Sequence, residues 1–193
     1  MRINIWRVVA FLLLIALSVG FGFAFDGAAT AIEKHRYARP ASLSAQISQN
    51  ADEFGVPEPV LWATVKCGSE FVSNAVSENG AIGLMQLTPA QYAFICTELF
   101  DSEAQNADML YAPEPNLRAG SAYLSYLFGR YGVWEHVFAA YRAGTDTVDA
   151  WLADPNRLTE QGVLYDIPDK AVANYVEDVK KSVAAYTKLY YGS

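Results

Sequence analysis

Apolar residues recur at helical spacing along most of this chain, and that spacing restricts the folds open to it. Leu43, Ile47 and Ala51 follow one another every fourth position, which places them on one face of an amphipathic helix. Gly55 comes where such a helix would stop. No stretch shows the alternation of apolar and polar residues that is typical of a half-buried strand. The pattern therefore predicts a mainly α fold.

Prolines and glycines indicate where the other helices begin and end. Thr88 followed by Pro89 is a typical helix opening, with a capping side chain and then a proline. Gly132 is a typical helix stop. The polar, turn-rich segment from Asp101 to Pro115 is expected to be a loop. Helices are expected from Pro57 to Gly68, Thr88 to Phe100, Asn116 to Tyr131, Trp134 to Ala143, Thr147 to Ala153, and from Pro168 towards the carboxyl terminus.

The amino terminus carries an uncharged apolar stretch from Val8 to Phe25, preceded by Arg2 and Arg7. This stretch has the length of a bilayer-spanning helix. Ala29-Thr30-Ala31 also offers the small-x-small pattern of a signal cleavage site. The length favours a retained anchor, and either leader would take the rest of the chain out of the cytoplasm. The expected organisation is a signal anchor or signal peptide in residues 1–30, a linker in residues 31–40 and one domain in residues 41–193.

Composition excludes several classes of function. The chain has 193 residues, a formal net charge of −7 and a pI of about 4.8, which argues against nucleic acid as a partner. An uncharged sugar is compatible with this charge. The histidines, His35 and His136, are far apart and have no cysteine or carboxylate at metal-ligand spacing, so no metal and no other cofactor is expected. Cys67 and Cys96 are interpreted as two separate buried residues, although a disulfide stays open outside the cytoplasm.

Short motifs in the predicted domain occur in the order and at the spacing of one bacterial enzyme family. They are Lys66-Cys67-Gly68-Ser69-Glu70-Phe71 with the following Asn74-Ala75-Val76-Ser77, the run from Gly80 to Pro89 (GAIGLMQLTP), Ala139 to Gly144, and Ile167 to Val176. Together they resemble the soluble lytic transglycosylase (SLT) domain, the goose-type-lysozyme-like family that cleaves bacterial peptidoglycan. The resemblance spans about Arg39 to Tyr191. It implies a lysozyme-like fold, which can hold a small hairpin near Ser77 to Leu84, and a peptidoglycan glycan strand as the partner.

The resemblance also implies a catalytic glutamate at a position that holds Gly68. The family segment reads Glu-Ser-x-Phe-x-x-x-Ala-Val-Ser, and aligning Ser69, Phe71 and Ala75 without a gap puts Gly68 at the glutamate. In the family this residue protonates the leaving oxygen between N-acetylmuramic acid and N-acetylglucosamine, and then accepts a proton from the muramyl 6-hydroxyl. Glycine has no group that can transfer a proton. The standard activity is therefore expected to be impaired.

Three more positions that line the family's cleft differ in this chain. Arg142 replaces an asparagine that helps to hold the sugar, so a donor and acceptor becomes a cation with donors only. Ala171 and Val172 replace a Glu-Thr pair. Tyr141 is retained, and the resemblance implies that its hydroxyl points towards the catalytic centre. Arg142 is interpreted either as a cleft contact or as a residue turned towards solvent.

The sugar-binding set that follows from these motifs contains polar and aromatic side chains. Gln86 has an amide that can both donate to and accept from a sugar. Glu70 is the candidate for a substitute acid. Two positions on a helix turn a side chain by about 200°, so Glu70 is expected to face away from the lost glutamate. The predicted substrate-binding residues are Ser69, Gln86, Tyr141, Arg142 and Tyr175.

Three hypotheses for the function remain. The preferred one is a lytic-transglycosylase-like protein of the bacterial envelope that is catalytically impaired and binds glycan strands. The first alternative is an active lytic transglycosylase with a relocated acid such as Glu70. The second is a protein-interaction module of an envelope assembly. The expected location is outside the cytoplasmic membrane, either on the anchor or as a secreted protein after signal cleavage.

Overall fold

Helices make up most of the part of the chain that the computed structural model describes, which is residues 30–192. A compact unit begins at Arg39, and the residues before it form a unit of their own, in which residues 30–36 are helical. The helices of the larger unit are α1 (Ala41–Phe54), α2 (Glu58–Ser69), α3 (Pro89–Phe94), α4 (Pro113–Tyr131), α5 (Trp134–Ala143), α6 (Thr145–Leu152) and α7 (Lys170–Tyr186). Shorter turns of other helix types are Ile95–Leu99, Ala107–Tyr111, Pro155–Arg157 and Thr187–Tyr191.

The mainly α prediction is confirmed, and local sequence signals account for most of the helix ends. Gly55 and Gly132 follow α1 and α4 in the left-handed conformation, at φ of 65° and 66°, which glycine adopts without strain. Thr88 caps α3 by accepting a hydrogen bond from the Gln91 N–H. The Gln91 side chain accepts one from the Thr88 N–H in return, which completes a capping box.

Two expectations about the loops need correction. Helix α4 begins at Pro113 rather than at Asn116, because a proline fits the first turn of a helix, where its missing N–H is not needed. The preceding segment, expected to be a plain loop, contains a 3-10 turn from Ala107 to Tyr111. In place of the small hairpin, the described residues show isolated antiparallel bridges from Val76 to Ile82 and from Ile82 to Leu87.

The core is built around α2, which packs most extensively against α7. Leu61 and Val65 of α2 and Val179 of α7 are fully buried, and burying a large aliphatic side chain contributes roughly 1.5–3 kcal/mol. Helix α5 also packs against α7 and against α4. This arrangement fixes the carboxyl-terminal end of α2 beside α7.

A cluster around Arg39 joins the two ends of the larger unit. The Arg39 guanidinium lies 4.0 Å from the centroid of the Tyr190 ring, within the range of a cation–π contact. It donates a hydrogen bond of 3.0 Å to the Tyr191 hydroxyl, and that hydroxyl donates to the Glu58 carboxylate. We call Arg39, Glu58, Tyr190 and Tyr191 the terminal clamp.

The predicted leader, Val8 to Phe25, lies outside the described residues. Within residues 30–192, no helix is both long enough and apolar enough to cross a bilayer.

Candidate active site

A cleft of about 420 Å³ opens where the end of α2, the loop before α3, the end of α5 and the first half of α7 meet. Its lining is mixed, with amides, hydroxyls and aromatic rings beside small apolar side chains. This mixture suits a sugar, which presents hydroxyl groups at its edges and C–H groups on its faces. The lining residues are Cys67, Gly68, Ser77, Asn79, Ala81, Met85, Gln86, Thr88, Gln91, Tyr141, Arg142, Ala171, Asn174, Tyr175 and Asp178.

Gly68 lies in the last turn of α2 and lines the cleft. A Cβ atom added there would lie 3.4 Å from Gln86 Cγ and 3.5 Å from the Leu84 carbonyl oxygen. Both distances are ordinary van der Waals contacts. The backbone therefore does not require a glycine, and a side chain at this position has room beside Gln86.

Ser69 and Glu70, the neighbours of Gly68, do not line the cleft. Ser69 is buried, and its hydroxyl donates to the Leu84 carbonyl oxygen at 2.8 Å, so it ties α2 to the loop. Glu70 is exposed and ends α2 in the left-handed conformation, with φ of 50°. The expected rotation of about 200° between the side chains at positions 68 and 70 holds only on a helix that continues through Glu70. The left-handed turn sets its position instead.

Gln86 lines the cleft with part of its amide already engaged. Its Nε2 donates to the Gly83 carbonyl oxygen at 2.9 Å and to the Ala75 carbonyl oxygen at 3.2 Å. These bonds use both N–H groups of the amide. A ligand therefore meets Gln86 chiefly as an acceptor, through Oε1, rather than as the two-way partner expected from sequence.

A buried asparagine that the motifs did not indicate holds the shape of this loop. Asn116, fully buried in α4, donates to the Ile82 and Leu110 carbonyl oxygens at 2.9 and 2.8 Å and accepts from the Met85 N–H at 2.7 Å. An asparagine near a helix start usually suggests a cap. No sequence signal shows that this one bridges to residues about thirty positions earlier.

Tyr141 lines the cleft and also forms a hydrogen bond to the same loop. Its hydroxyl donates to the Met85 carbonyl oxygen at 2.8 Å. Burial raises the pKa of Tyr141 well above its ordinary value, with smaller contributions from Tyr175 and Tyr123. The hydroxyl therefore stays protonated and fixed. The resemblance implies a hydroxyl turned to the catalytic centre, but here the hydroxyl proton is engaged with the backbone.

Arg142 and Tyr175 meet across the cleft. The Arg142 guanidinium carbon lies 5.9 Å from the centroid of the Tyr175 ring, and both residues line the cavity. Of the two interpretations of Arg142, this position favours a cleft contact. Burial of the Tyr175 phenol raises its pKa, with a further increase from Cys67, whereas Arg142 lowers it.

Helix α7 contributes Ala171, which the motifs already placed in the family's cleft, and two residues that the motifs did not single out for the site. Ala171, Asn174 and Asp178 line the cleft from positions spaced by three and four along this helix, which puts them on one face. Among the described lining residues, Asp178 is the only carboxylate. It is exposed. Finding it required knowledge of which face of α7 meets α2.

The cysteines are unpaired, as the preferred interpretation expected. Cys67 lies beside Gly68, with its Sγ 3.4 Å from the Ser182 Oγ. Burial raises the pKa of the Cys67 thiol, and Asp178 raises it further, so the group stays a neutral thiol. Within residues 30–192, no cluster of histidine, cysteine and carboxylate side chains could hold a metal ion.

The fold and the cleft define a lysozyme-like helical domain. The sequence profile of the transglycosylase SLT domain matches residues 45–163. The soluble lytic murein transglycosylase of Escherichia coli K12 is 28% identical over 138 residues, which is 70% of this chain and 21% of that protein. Membrane-bound lytic murein transglycosylase C of Yersinia pestis (strain Pestoides F) is 34% identical over 86 residues, 44% of this chain and 24% of that protein.

A solved structure agrees with the sequence relatives. An inactive variant of lytic transglycosylase Slt from Pseudomonas aeruginosa, with one glutamate replaced by glutamine, superposes with a TM-score of 0.70 at 30% identity. The match covers 79% of this chain and 25% of that one. The chain thus spans about a fifth to a quarter of the length of the proteins it matches. It belongs to the transglycosylase SLT domain family.

Proposed function

We propose that this protein binds peptidoglycan glycan strands in its cleft and lacks the standard lytic transglycosylase activity. The observation that carries the proposal is Gly68, which lines the cleft at the position of the family's proton-transferring glutamate. General acid–base catalysis contributes roughly 10²- to 10⁴-fold to a rate, and glycine contributes none of it. The inactive Slt variant of Pseudomonas, changed from glutamate to glutamine at one position, supports this reasoning.

Binding depends on other residues of the cleft, and several of those are retained. The Gln86 oxygen, the Tyr175 ring and the Asn174 amide all belong to the lining. Aromatic faces and amide groups are what a pocket needs to hold a neutral sugar. Loss of the acid therefore leaves a cleft that can hold a glycan without cleaving it.

The direct test is cleavage of purified sacculi by the full-length protein in mild detergent. We expect no anhydromuramyl products by mass spectrometry, together with retention of the protein on sacculi in a pull-down. Gly68→Glu should restore products, because a Cβ atom fits at that position and the position lines the cleft. Gly68→Gln is the matched control, since glutamine has nearly the same shape and cannot transfer the proton.

Other outcomes would lead to different functions. Products from the unchanged protein that disappear in Glu70→Gln would establish the relocated acid and overturn the proposal. The same experiment with Asp178→Asn examines the other candidate acid, which lines the cleft whereas Glu70 does not. No products and no retention on sacculi would leave the envelope protein-interaction module as the better explanation.

We also propose that the domain lies outside the cytoplasmic membrane, held by the apolar segment from Val8 to Phe25. The membrane-bound relative from Yersinia supports an envelope location. A carboxyl-terminal tag should be digested by protease added to spheroplasts, and the protein should pellet with membranes. Recovery of a shortened, soluble protein would indicate cleavage after Ala31 instead.

A further inference from the structure

We infer that the cleft selects glycans that carry free carboxylates and that Arg142 recognises this charge. The inference rests on the proposed glycan binding and specifies the class of glycan. Among the described lining residues, Arg142 is the only cation. A cation placed in a sugar-binding cleft is best matched by an anionic group on the sugar.

The charge of Arg142 is available to a ligand. Within residues 30–192, no carboxylate forms an ion pair with it, whereas Arg118, Arg130 and Arg157 pair with Glu53, Asp149 and Asp166 respectively. The Arg142 side chain is exposed and lies in the cleft lining. Asp178 shares the cleft but makes no ion pair with Arg142, so the guanidinium is not neutralised internally.

The Tyr175 ring lies beside this guanidinium. Its centroid lies 5.9 Å from the guanidinium carbon of Arg142, within the reach of a cation–π contact. A guanidinium held at a ring face still presents its N–H groups in the plane of the fork, where they can donate two parallel hydrogen bonds to a carboxylate. Lysine could supply the charge but not this geometry.

Three departures from the family motif change the charge of the cleft in the same direction, whereas the fourth, Val172 in place of a threonine, leaves it unchanged. Gly68 and Ala171 stand where the motif has glutamates, and Arg142 stands where it has an asparagine. All of these residues line the cleft. The cleft has therefore lost negative charge and gained positive charge, although the chain as a whole has a net charge of −7. Drift that only removed catalysis would not need the added cation.

Peptidoglycan offers a carboxylate in two chemical settings. The lactyl group of N-acetylmuramic acid ends in a free carboxylate when the stem peptide is absent. When the peptide is attached, that carboxylate becomes an amide and the peptide supplies carboxylates of its own. Chitin oligosaccharides, which contain only N-acetylglucosamine, have none. These glycans share a β-1,4-linked backbone but differ in the lactyl ether and in the peptide as well as in charge, so variants of Arg142 are needed to isolate the effect of the charge.

The test measures the affinity of the full-length protein for three glycans of equal length by isothermal titration calorimetry. They are peptide-free alternating N-acetylglucosamine–N-acetylmuramic acid chains, the same chains with stem peptides, and chitin oligosaccharides. We expect at least one carboxylated glycan to bind about tenfold tighter than chitin, which corresponds to about 1.4 kcal/mol. Added salt should reduce this preference, because ions screen an exposed pair.

Arg142→Asn should bring the ratio between the affinities for the carboxylated glycan and for chitin down to about one, because the charged contact that gives the preference is lost. Arg142→Lys should keep part of it. Arg118→Asn is the matched control, since it removes the same charge from an exposed site outside the cleft, and it should keep the full preference. Preference for the peptide-free chain identifies the muramyl carboxylate as the group that Arg142 recognises. Preference for the peptide-bearing chain identifies a carboxylate of the peptide instead.

Two results would overturn the inference in distinguishable ways. Equal affinity for chitin and for both carboxylated glycans, or a preference that persists in Arg142→Asn, contradicts the role of Arg142 and leaves glycan binding intact. Absence of binding to any of the three glycans contradicts the proposed function itself, and the inference is then wrong with it.

Discussion

Two glycines near the cleft, Gly83 in the loop and Gly68 at the end of α2, are under opposite constraints. A Cβ atom on Gly83 would lie 2.1 Å from Asn116 Nδ2 and 2.2 Å from the Leu110 carbonyl oxygen, and its φ is +80°. The nearest atom to a Cβ on Gly68 lies at 3.4 Å. Gly83 is therefore required by the fold, whereas Gly68 is not.

The loop and position 68 therefore differ in how strongly packing limits the residues that they can hold. The loop is fixed by the buried Asn116, by the Ser69 hydroxyl and by the Tyr141 hydroxyl, so its residues specify a shape. The place of the missing glutamate has no such partners. Within this SLT domain, packing constrains the residues that shape the cleft, whereas it leaves room for a Cβ atom at the position where the family motif has its glutamate.

The largest effect on stability is expected from Gly83→Ala. The left-handed backbone disfavours alanine by about 1–2 kcal/mol, and overpacking against Asn116 and Leu110 adds about 1–3 kcal/mol. We expect the free energy of unfolding to fall by about 3 kcal/mol or more, measured by urea denaturation followed by circular dichroism. Gly129→Ala is the control, because a Cβ there meets nothing within 4 Å in a helix. If both variants are equally stable, the loop does not require its glycine.

A smaller effect is expected from Tyr141→Phe, a residue that both lines the cleft and supports the loop. Removing the hydroxyl leaves the Met85 carbonyl oxygen without this donor, and a buried unpaired group costs about 1–3 kcal/mol. We expect a loss in that range in the same urea measurement. An unchanged stability would show that the hydroxyl does not support the loop, which would leave Tyr141 free for a role towards the ligand.

The smallest expected effect, and one of opposite sign, is that of Gly68→Ala. Glycine within a helix is less favourable than alanine by about 0.5–1 kcal/mol, and position 68 lies in the last turn, where the gain is smaller. We expect the free energy of unfolding to rise by about 0.5 kcal/mol or less. A clear loss of stability would mean that the end of α2 does require glycine, and the comparison with Gly83 would then be wrong.

The sequence predicts the helices well because their ends depend on local chemistry. Gly55, Gly132 and the Thr88-Pro89 pair act within a few residues of themselves, so they can be recognised without a structure. The left-handed turn at Glu70 has no such signal, since a non-glycine residue seldom adopts it. Because of that turn, Glu70 does not have the helical backbone on which its expected position depends.

The site could be predicted only as far as its motifs extend. Gly68, Gln86, Tyr141, Arg142 and Tyr175 were expected from sequence and all line the cleft. Whether they act as expected stays a prediction. Asn116 and Asp178 were missed, because Asn116 acts through bonds to distant residues and Asp178 reaches the cleft only through the packing of α7 on α2. The spacing of residues along the chain indicates neither the hydrogen bonds of Asn116 nor the position of Asp178 in the cleft.

The terminal clamp has a mechanical consequence. Arg39 and Tyr191 lie near the two ends of the folded unit in sequence. They are held together by a hydrogen bond, and the Arg39 guanidinium also lies over the Tyr190 ring. Tension applied between these ends is met first by the clamp. The clamp includes Glu58, the first residue of α2, so tension between the ends would load the helix whose other end lines the cleft.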